Sequence, residues 1–220
     1  MQRDKQPVTV EAIRAAHRQR ARAIRERLAE FESVRRDGSD ERLWEELVFC
    51  IFTAGASARM GLRSVEAVRP LLARGTHDQL AESLAGKHRY PRSRSGYIVA
   101  TREHLRADCR MRLRERLESF DDPLARRDWL ARERGIKGLG YKESSHFLRN
   151  IGYRGYAILD KHILRSLAEL GVVASPAPPT TRARYLDTEE SLRRFARDVA
   201  IDFDELDLVL WSMKTGEILK

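Results

Sequence analysis

Cysteine is scarce in this 220-residue chain: there are two, Cys50 and Cys109, far apart and without metal-ligand spacing. That count excludes a disulfide framework and a four-cysteine iron–sulfur cluster. Long apolar runs are absent too, and none approaches the roughly 20 residues of a membrane span. The opening segment, Met-Gln-Arg-Asp-Lys-Gln-Pro, lacks the apolar stretch of a signal peptide, so the expected compartment is the cytoplasm. Strand-like alternation is missing, as are internal repeats and low-complexity tracts.

What is present is charge. Charged residues make up 34% and hydrophobic residues 42%, the balance of a soluble globular protein. Lysine and arginine number 42 against 33 acids, a net charge of +9. Such an excess suits a phosphate-rich partner, although charge alone does not separate that partner from an arginine-rich solvated surface.

Helical periodicity accounts for nearly all of the chain. A basic helix is expected over residues 8–32, and a strongly apolar one over 40–54 that reads as central and buried, with Cys50 on it as a free thiol. Ser57 can cap a helix reaching residue 72, and Thr76 with Gln79 forms a capping box for a short helix ending near 86. Further helices are expected over 93–106, 110–120 and 123–134, the last with Asp122 as cap and Pro123 in its first turn. After a helix at 161–170, residues 174–181 carry three prolines and read as a loop. Two helices, 182–199 and 204–214, follow it. The predicted fold is all-α.

Residues 135–160 concentrate the chemistry. Gly-Ile-Lys-Gly-Leu-Gly forms a glycine-rich turn between two helices, a helix-hairpin-helix over about 123–150. Glycines permit positive φ, so the amides of Gly138, Leu139 and Gly140 can point outward and hold one DNA phosphate without reading sequence. Lys142 follows two residues past the turn, and Asp160 comes 18 positions later. Lys142 lies opposite the apolar stripe of Ser144, Phe147, Leu148 and Ile151. It is either an ordinary solvated lysine or a nucleophile for a sugar C1′. Asp160 is explained by helix capping, and a capping aspartate can also face a cleft.

Two further places stand out. Lys87-His88-Arg89-Tyr90-Pro91 is a basic, aromatic-bearing loop of the kind that stacks on bases, or a turn packed on its own helix. In the 204–214 helix, Leu206, Val209, Leu210 and Met213 make the core stripe. Trp211 lies off it on the side of Asp207, as a stacking platform or a Trp buried against a neighbouring domain.

The run over residues 136–150, Ile-Lys-Gly-Leu-Gly-Tyr-Lys-Glu-Ser-Ser-His-Phe-Leu-Arg-Asn, resembles the helix-hairpin-helix DNA glycosylases, as does Ala-Ile-Leu-Asp-Lys-His-Ile-Leu over 157–164. It is most similar to the compact 8-oxoguanine DNA glycosylase/AP lyases of archaea and some bacteria. Residues 47–54, 88–90 and 206–220 extend the resemblance, which covers about 44–220. It implies two helical subdomains flanking a DNA-binding cleft in a single functional unit, with Lys142 as catalytic lysine, Asp160 as catalytic aspartate, and Trp211 and Lys220 as residues that hold and recognise a flipped base. Tyr90 stands where that family places an aromatic, usually Phe, and Asp207 shares the Trp211 side of its helix in base recognition. The α-carboxylate of Lys220 could tell an oxidised purine from guanine if it reaches the pocket.

The implied partner is double-stranded DNA containing oxidised guanine, met by a monomer without metal or redox cofactor. Two alternatives stand beside this reading: a non-catalytic helix-hairpin-helix DNA-binding module, and a glycosylase for a different damaged base. The arginine-rich N-terminal helix receives no role.

Overall fold

The computed structural model describes residues 8–218, which are helical with no strand among them. The helices are α1 (Val10–Asp37), α2 (Asp40–Thr53), α3 (Ala58–Val68), α4 (His77–Leu84), α5 (Pro91–Cys109) and α6 (Leu113–Glu118). They continue with α7 (Pro123–Arg132), α8 (Tyr141–Asn150), α9 (Lys161–Glu169), α10 (Arg182–Val199) and α11 (Phe203–Thr215). The described residues divide into two compact units: a central one from Phe31 to Tyr153, and a terminal one made of residues 8–30 and 154–218.

The local rules hold where side chains cap helices. Ser39, Ser57, Thr76, Asp122, Asp160 and Thr181 each accept an amide hydrogen bond at the start of α2, α3, α4, α7, α9 and α10. Several boundaries differ from expectation, among them that of α5, which runs Pro91–Cys109 where 93–106 is expected. α1 continues to Asp37 and is closed by Gly38 N–H donating to Val34 O. α3 ends at Val68 and tightens into a 3-10 turn over Arg69–Leu71, where Pro70 lacks the amide needed to continue. The expected 110–120 helix begins only at Leu113, because Arg110 and Met111 adopt left-handed φ of 54° and 61°.

In the central unit α2 is the hub. Leu43, Trp44, Leu47, Val48, Phe49, Cys50, Ile51 and Phe52 are all buried, and the helix packs against α3, α5, α6 and α8. Truncating one of its large side chains, such as Phe49→Ala, carries a cost of about 3–5 kcal/mol. Burial pushes the Cys50 thiol well above its usual pKa, with Glu46 and Glu143 adding to the rise against Lys142 and Arg149.

Much of the arginine excess is internal. Arg114 donates to the carbonyls of Val34, Arg35 and Gly38 at the end of α1, and Arg126 to those of Leu117 and Phe120 past α6. Arg102 reaches Leu72 O and Gly75 O. Most of these carbonyls lie in or just past the last turn of a helix, where intrahelical donors run out. In the terminal unit the first part of α1 also turns basic side chains to partners within the protein. Arg14 donates to Val199 O, Arg20 to Ser212 Oγ, and Arg25 and His17 both engage Glu205. Arg14, Arg20 and Arg25 therefore tie this helix to α10 and α11, while the Arg14 and Arg25 side chains stay exposed to solvent.

Candidate active site

The hairpin sits on one face of α5. Lys137 N–H donates to Thr101 Oγ1 at 2.9 Å, and a Cβ added to Gly138 would meet Tyr97 Cδ2 at 2.7 Å. Gly138 has φ of +80°, so glycine is required there both by conformation and by space. Leu139 turns its side chain inward and is 8% exposed. The Gly138 and Leu139 amides donate to no other described residue. Gly140 N–H is engaged, donating to Glu143 Oε2 at 3.2 Å as the return half of a capping box.

Lys142 occupies the first turn of α8, whose buried face packs on α2 and α7. Its Nζ lies 2.8 Å from Glu143 Oε1. With 27% of its side chain exposed, it is not an openly solvated lysine. From Ser144 to Asn150 the helix is buried all round, beyond the expected stripe of Ser144, Phe147 and Leu148. Asn150 Nδ2 donates to the buried Glu46, which Arg42 also pairs at 2.7 Å, so a polar network locks the far end of α8 to α2.

Tyr90 belongs to the same unit. It is 39% exposed, one of the exposed large apolar side chains, with Arg89 and Arg94 over its ring at 5.2 and 5.9 Å. The loop is not exposed throughout, because His88 is buried at 6%. Tyr90 N–H donates to His88 Nδ1 at 2.9 Å, and Nε2 lies 3.0 Å from Phe52 O. Those two bonds assign a neutral imidazole protonated on Nε2. Burial lowers the His88 pKa, and Arg94 adds to this against the Phe52 carbonyl.

The terminal unit holds the other candidates. Asp160 caps α9, its Oδ1 accepting the amides of His162 at 2.7 Å and Ile163 at 2.8 Å. The preceding segment is pinned to α10: Ala157 N–H donates to Glu189 Oε2 at 2.8 Å, and Tyr185 OH to Ala157 O at 2.7 Å. These bonds fix the aspartate at the helix start while Oδ2 stays outside the cap. α9 packs on α11, which carries the buried Asp207 and, one turn on, the partly exposed Trp211. Leu206, Val209 and Leu210 are fully buried, as the stripe requires, whereas Met213 is partly exposed. Lys220 lies outside the described residues.

Two residues of this region escape a reading by sequence. Glu143 carried a signal, since a Glu three residues past a helix cap is half of a capping box, but the glycine cap hides the motif. Arg94 carried none, because its setting depends on α5 lying beneath the hairpin.

A family model described as 8-oxoguanine DNA glycosylase matches residues 24–201, taking in the hairpin, Lys142 and Asp160 and stopping short of Trp211. An 8-oxoguanine DNA glycosylase/AP lyase of Korarchaeum cryptofilum is 43% identical over 198 residues, 90% of either chain. A second of the same description, from Methanocaldococcus jannaschii, is 37% identical over 90% of this chain and 91% of its own. The Methanocaldococcus jannaschii 8-oxoguanine glycosylase/lyase, solved in complex with a 15mer DNA containing 8-oxoguanine, superimposes with a TM-score of 0.87 at 35% identity. That match covers 96% of this chain and 99% of the other. The 8-oxoguanine DNA glycosylase of Thermotoga maritima gives 0.86 at 33% identity, over 96% and 98%. Likeness of this extent in both sequence and fold means that the chain belongs to the 8-oxoguanine DNA glycosylase family.

Proposed function

We propose that this protein is a bifunctional DNA glycosylase/AP lyase that excises 8-oxoguanine from double-stranded DNA and then nicks the strand. The observation that carries the reading is Lys142, an enclosed amine at the head of α8, beside a glycine hairpin whose Gly138 and Leu139 amides meet no acceptor among the described residues. Phosphate binding alone calls for the amides and not for the amine, which disfavours a purely structural DNA-binding module.

In this reading the hairpin amides hold a backbone phosphate and the damaged nucleotide leaves the base stack. Tyr90 and Trp211 stack on the extruded base, and Asp207 and Lys220 contribute to its recognition. The free-amine form of Lys142 attacks C1′, the C1′–N9 bond breaks, and its electron pair departs with the base, which takes up a proton. Asp160 stabilises the positive charge that develops on the sugar. Loss of the amine proton and opening of the sugar ring give a Schiff base between Nζ and C1′. Removal of a C2′ proton then expels the 3′ phosphate by β-elimination, and hydrolysis returns the lysine. The electron sink is the protonated imine, so the steps call for neither metal nor redox cofactor.

The enzyme is taken to work as a cytoplasmic monomer. Among the described residues no helix is long and apolar enough to cross a membrane. The substrate is tested with a panel of duplexes carrying 8-oxoguanine, other oxidised bases or alkylated bases. Preferential release of 8-oxoguanine is expected, and preferential release of another lesion would reassign the substrate.

A further inference from the structure

Arg94 is a buried cation, 9% exposed, without a charged partner among the described residues. Its Nη2 donates to Ala54 O, the carbonyl that closes α2, while Nε is buried without a hydrogen-bond partner. The rings of Tyr97 and Tyr90 lie 5.4 and 5.9 Å from its guanidinium carbon. Two aromatic faces and one carbonyl offset only part of the cost of burying a guanidinium, and an anion is the partner that completes it.

The direction of the side chain identifies where that anion sits. A Cβ on Gly138 would lie 3.5 Å from Arg94 Nη1, so the missing side chain keeps the space between guanidinium and hairpin open. The amides of Gly138 and Leu139 in the turn meet no acceptor among the described residues. Arg94, Tyr97 and Thr101 recur at helical spacing on α5, and all three meet the hairpin: through Nη1, through the ring, and through the bond from Lys137 N–H.

We propose that Arg94 is a ligand for the backbone phosphate held by the hairpin, so that one phosphodiester is bound by the Gly138–Leu139 amides and the Arg94 guanidinium together. This deepens the proposed function and rests on its DNA-binding hairpin. Because Arg94 also lies over the Tyr90 ring, filling the phosphate site orders the aromatic proposed to stack on the base.

The test is equilibrium binding to a duplex bearing a non-cleavable abasic-site analogue, measured between about 50 and 200 mM salt. Arg94→Gln is expected to lower the slope of log Kd against log salt by about one, the loss of one phosphate contact. Duplexes with a single neutral methylphosphonate at successive linkages then locate it. One linkage weakens the wild type, and the same linkage no longer matters to Arg94→Gln. A wild-type slope, or methylphosphonate penalties unchanged in the variant, overturns the proposal. If circular dichroism shows that Arg94→Gln is unfolded, Arg94→Lys replaces it. That variant keeps the slope and loses part of the penalty at the one linkage, and an undiminished penalty contradicts the assignment. No bond is broken in this assay. Failure of the wild type to excise any base defeats the proposed function without touching Arg94, whereas normal excision with an unchanged slope defeats Arg94 alone.

Discussion

Lys142 Nζ lies 2.8 Å from Glu143 Oε1, and the other oxygen of the same carboxylate accepts Gly140 N–H at 3.2 Å. One side chain thus joins the proposed nucleophile to the last amide of the hairpin. Glu143→Ala removes that cap and is expected to cost about 1 kcal/mol of stability. Glu143→Gln keeps an acceptor for Gly140 and should lie close to the wild type. Urea midpoints of the two variants check this, and equal losses would show that the charge rather than the cap supplies the stability.

Gly138→Ala places a methyl group on a backbone with φ of +80° and drives it into Tyr97. The left-handed conformation alone costs about 1–2 kcal/mol. Weaker binding to undamaged and damaged duplexes alike is expected by fluorescence anisotropy, since the hairpin reads no sequence.

Asp160→Asn separates capping from chemistry. Asparagine caps a helix as well as aspartate does, so the bonds to His162 and Ile163 and the melting temperature should survive. DNA binding should survive as well, while turnover is lost with the negative charge. Full activity in Asp160→Asn would remove this residue from the mechanism.

Trp211→Ala should lower excision of 8-oxoguanine by roughly tenfold or more through lost stacking. Cleavage at a preformed abasic site, where there is no base to hold, should change little. Parallel loss of both activities in single-turnover assays would assign Trp211 to the fold rather than to the base.

His88 provides a pH signature. Its folded pKa is lowered by burial and by Arg94, so over an interval below about 6.5 the unfolded chain binds a proton there that the folded chain does not. Its contribution to stability is complete above that value and declines as pH falls through it. The stability difference between the wild type and His88→Gln should narrow as pH drops from 7.5 to 5.5, read as thermal midpoints. A constant difference would contradict the lowered pKa.

The parts of the molecule readable from sequence are those set by neighbours a few residues away. Asp122 with Pro123, Thr76 with Gln79, and Asp160 ahead of α9 all act as local capping rules require. Long-range packing was not readable. The 3.6-residue period places Ser144, Phe147 and Leu148 inward, but Ser145, His146, Arg149 and Asn150 are buried as well because α2 and α7 enclose the helix. His88 resembled a surface residue of a basic loop, and its partner Phe52 O belongs to a helix far upstream. Net charge pointed towards DNA, yet Arg14, Arg20, Arg102, Arg114 and Arg126 serve carbonyls or helix contacts within the protein.

The central claim is that Lys142 forms a covalent imine with the damaged strand. Incubating the protein with an 8-oxoguanine duplex in the presence of borohydride should trap a protein–DNA adduct, visible as a shifted band in a denaturing gel, and Lys142→Gln should abolish it. No adduct with the wild type, or an adduct that persists in Lys142→Gln, would contradict the mechanism.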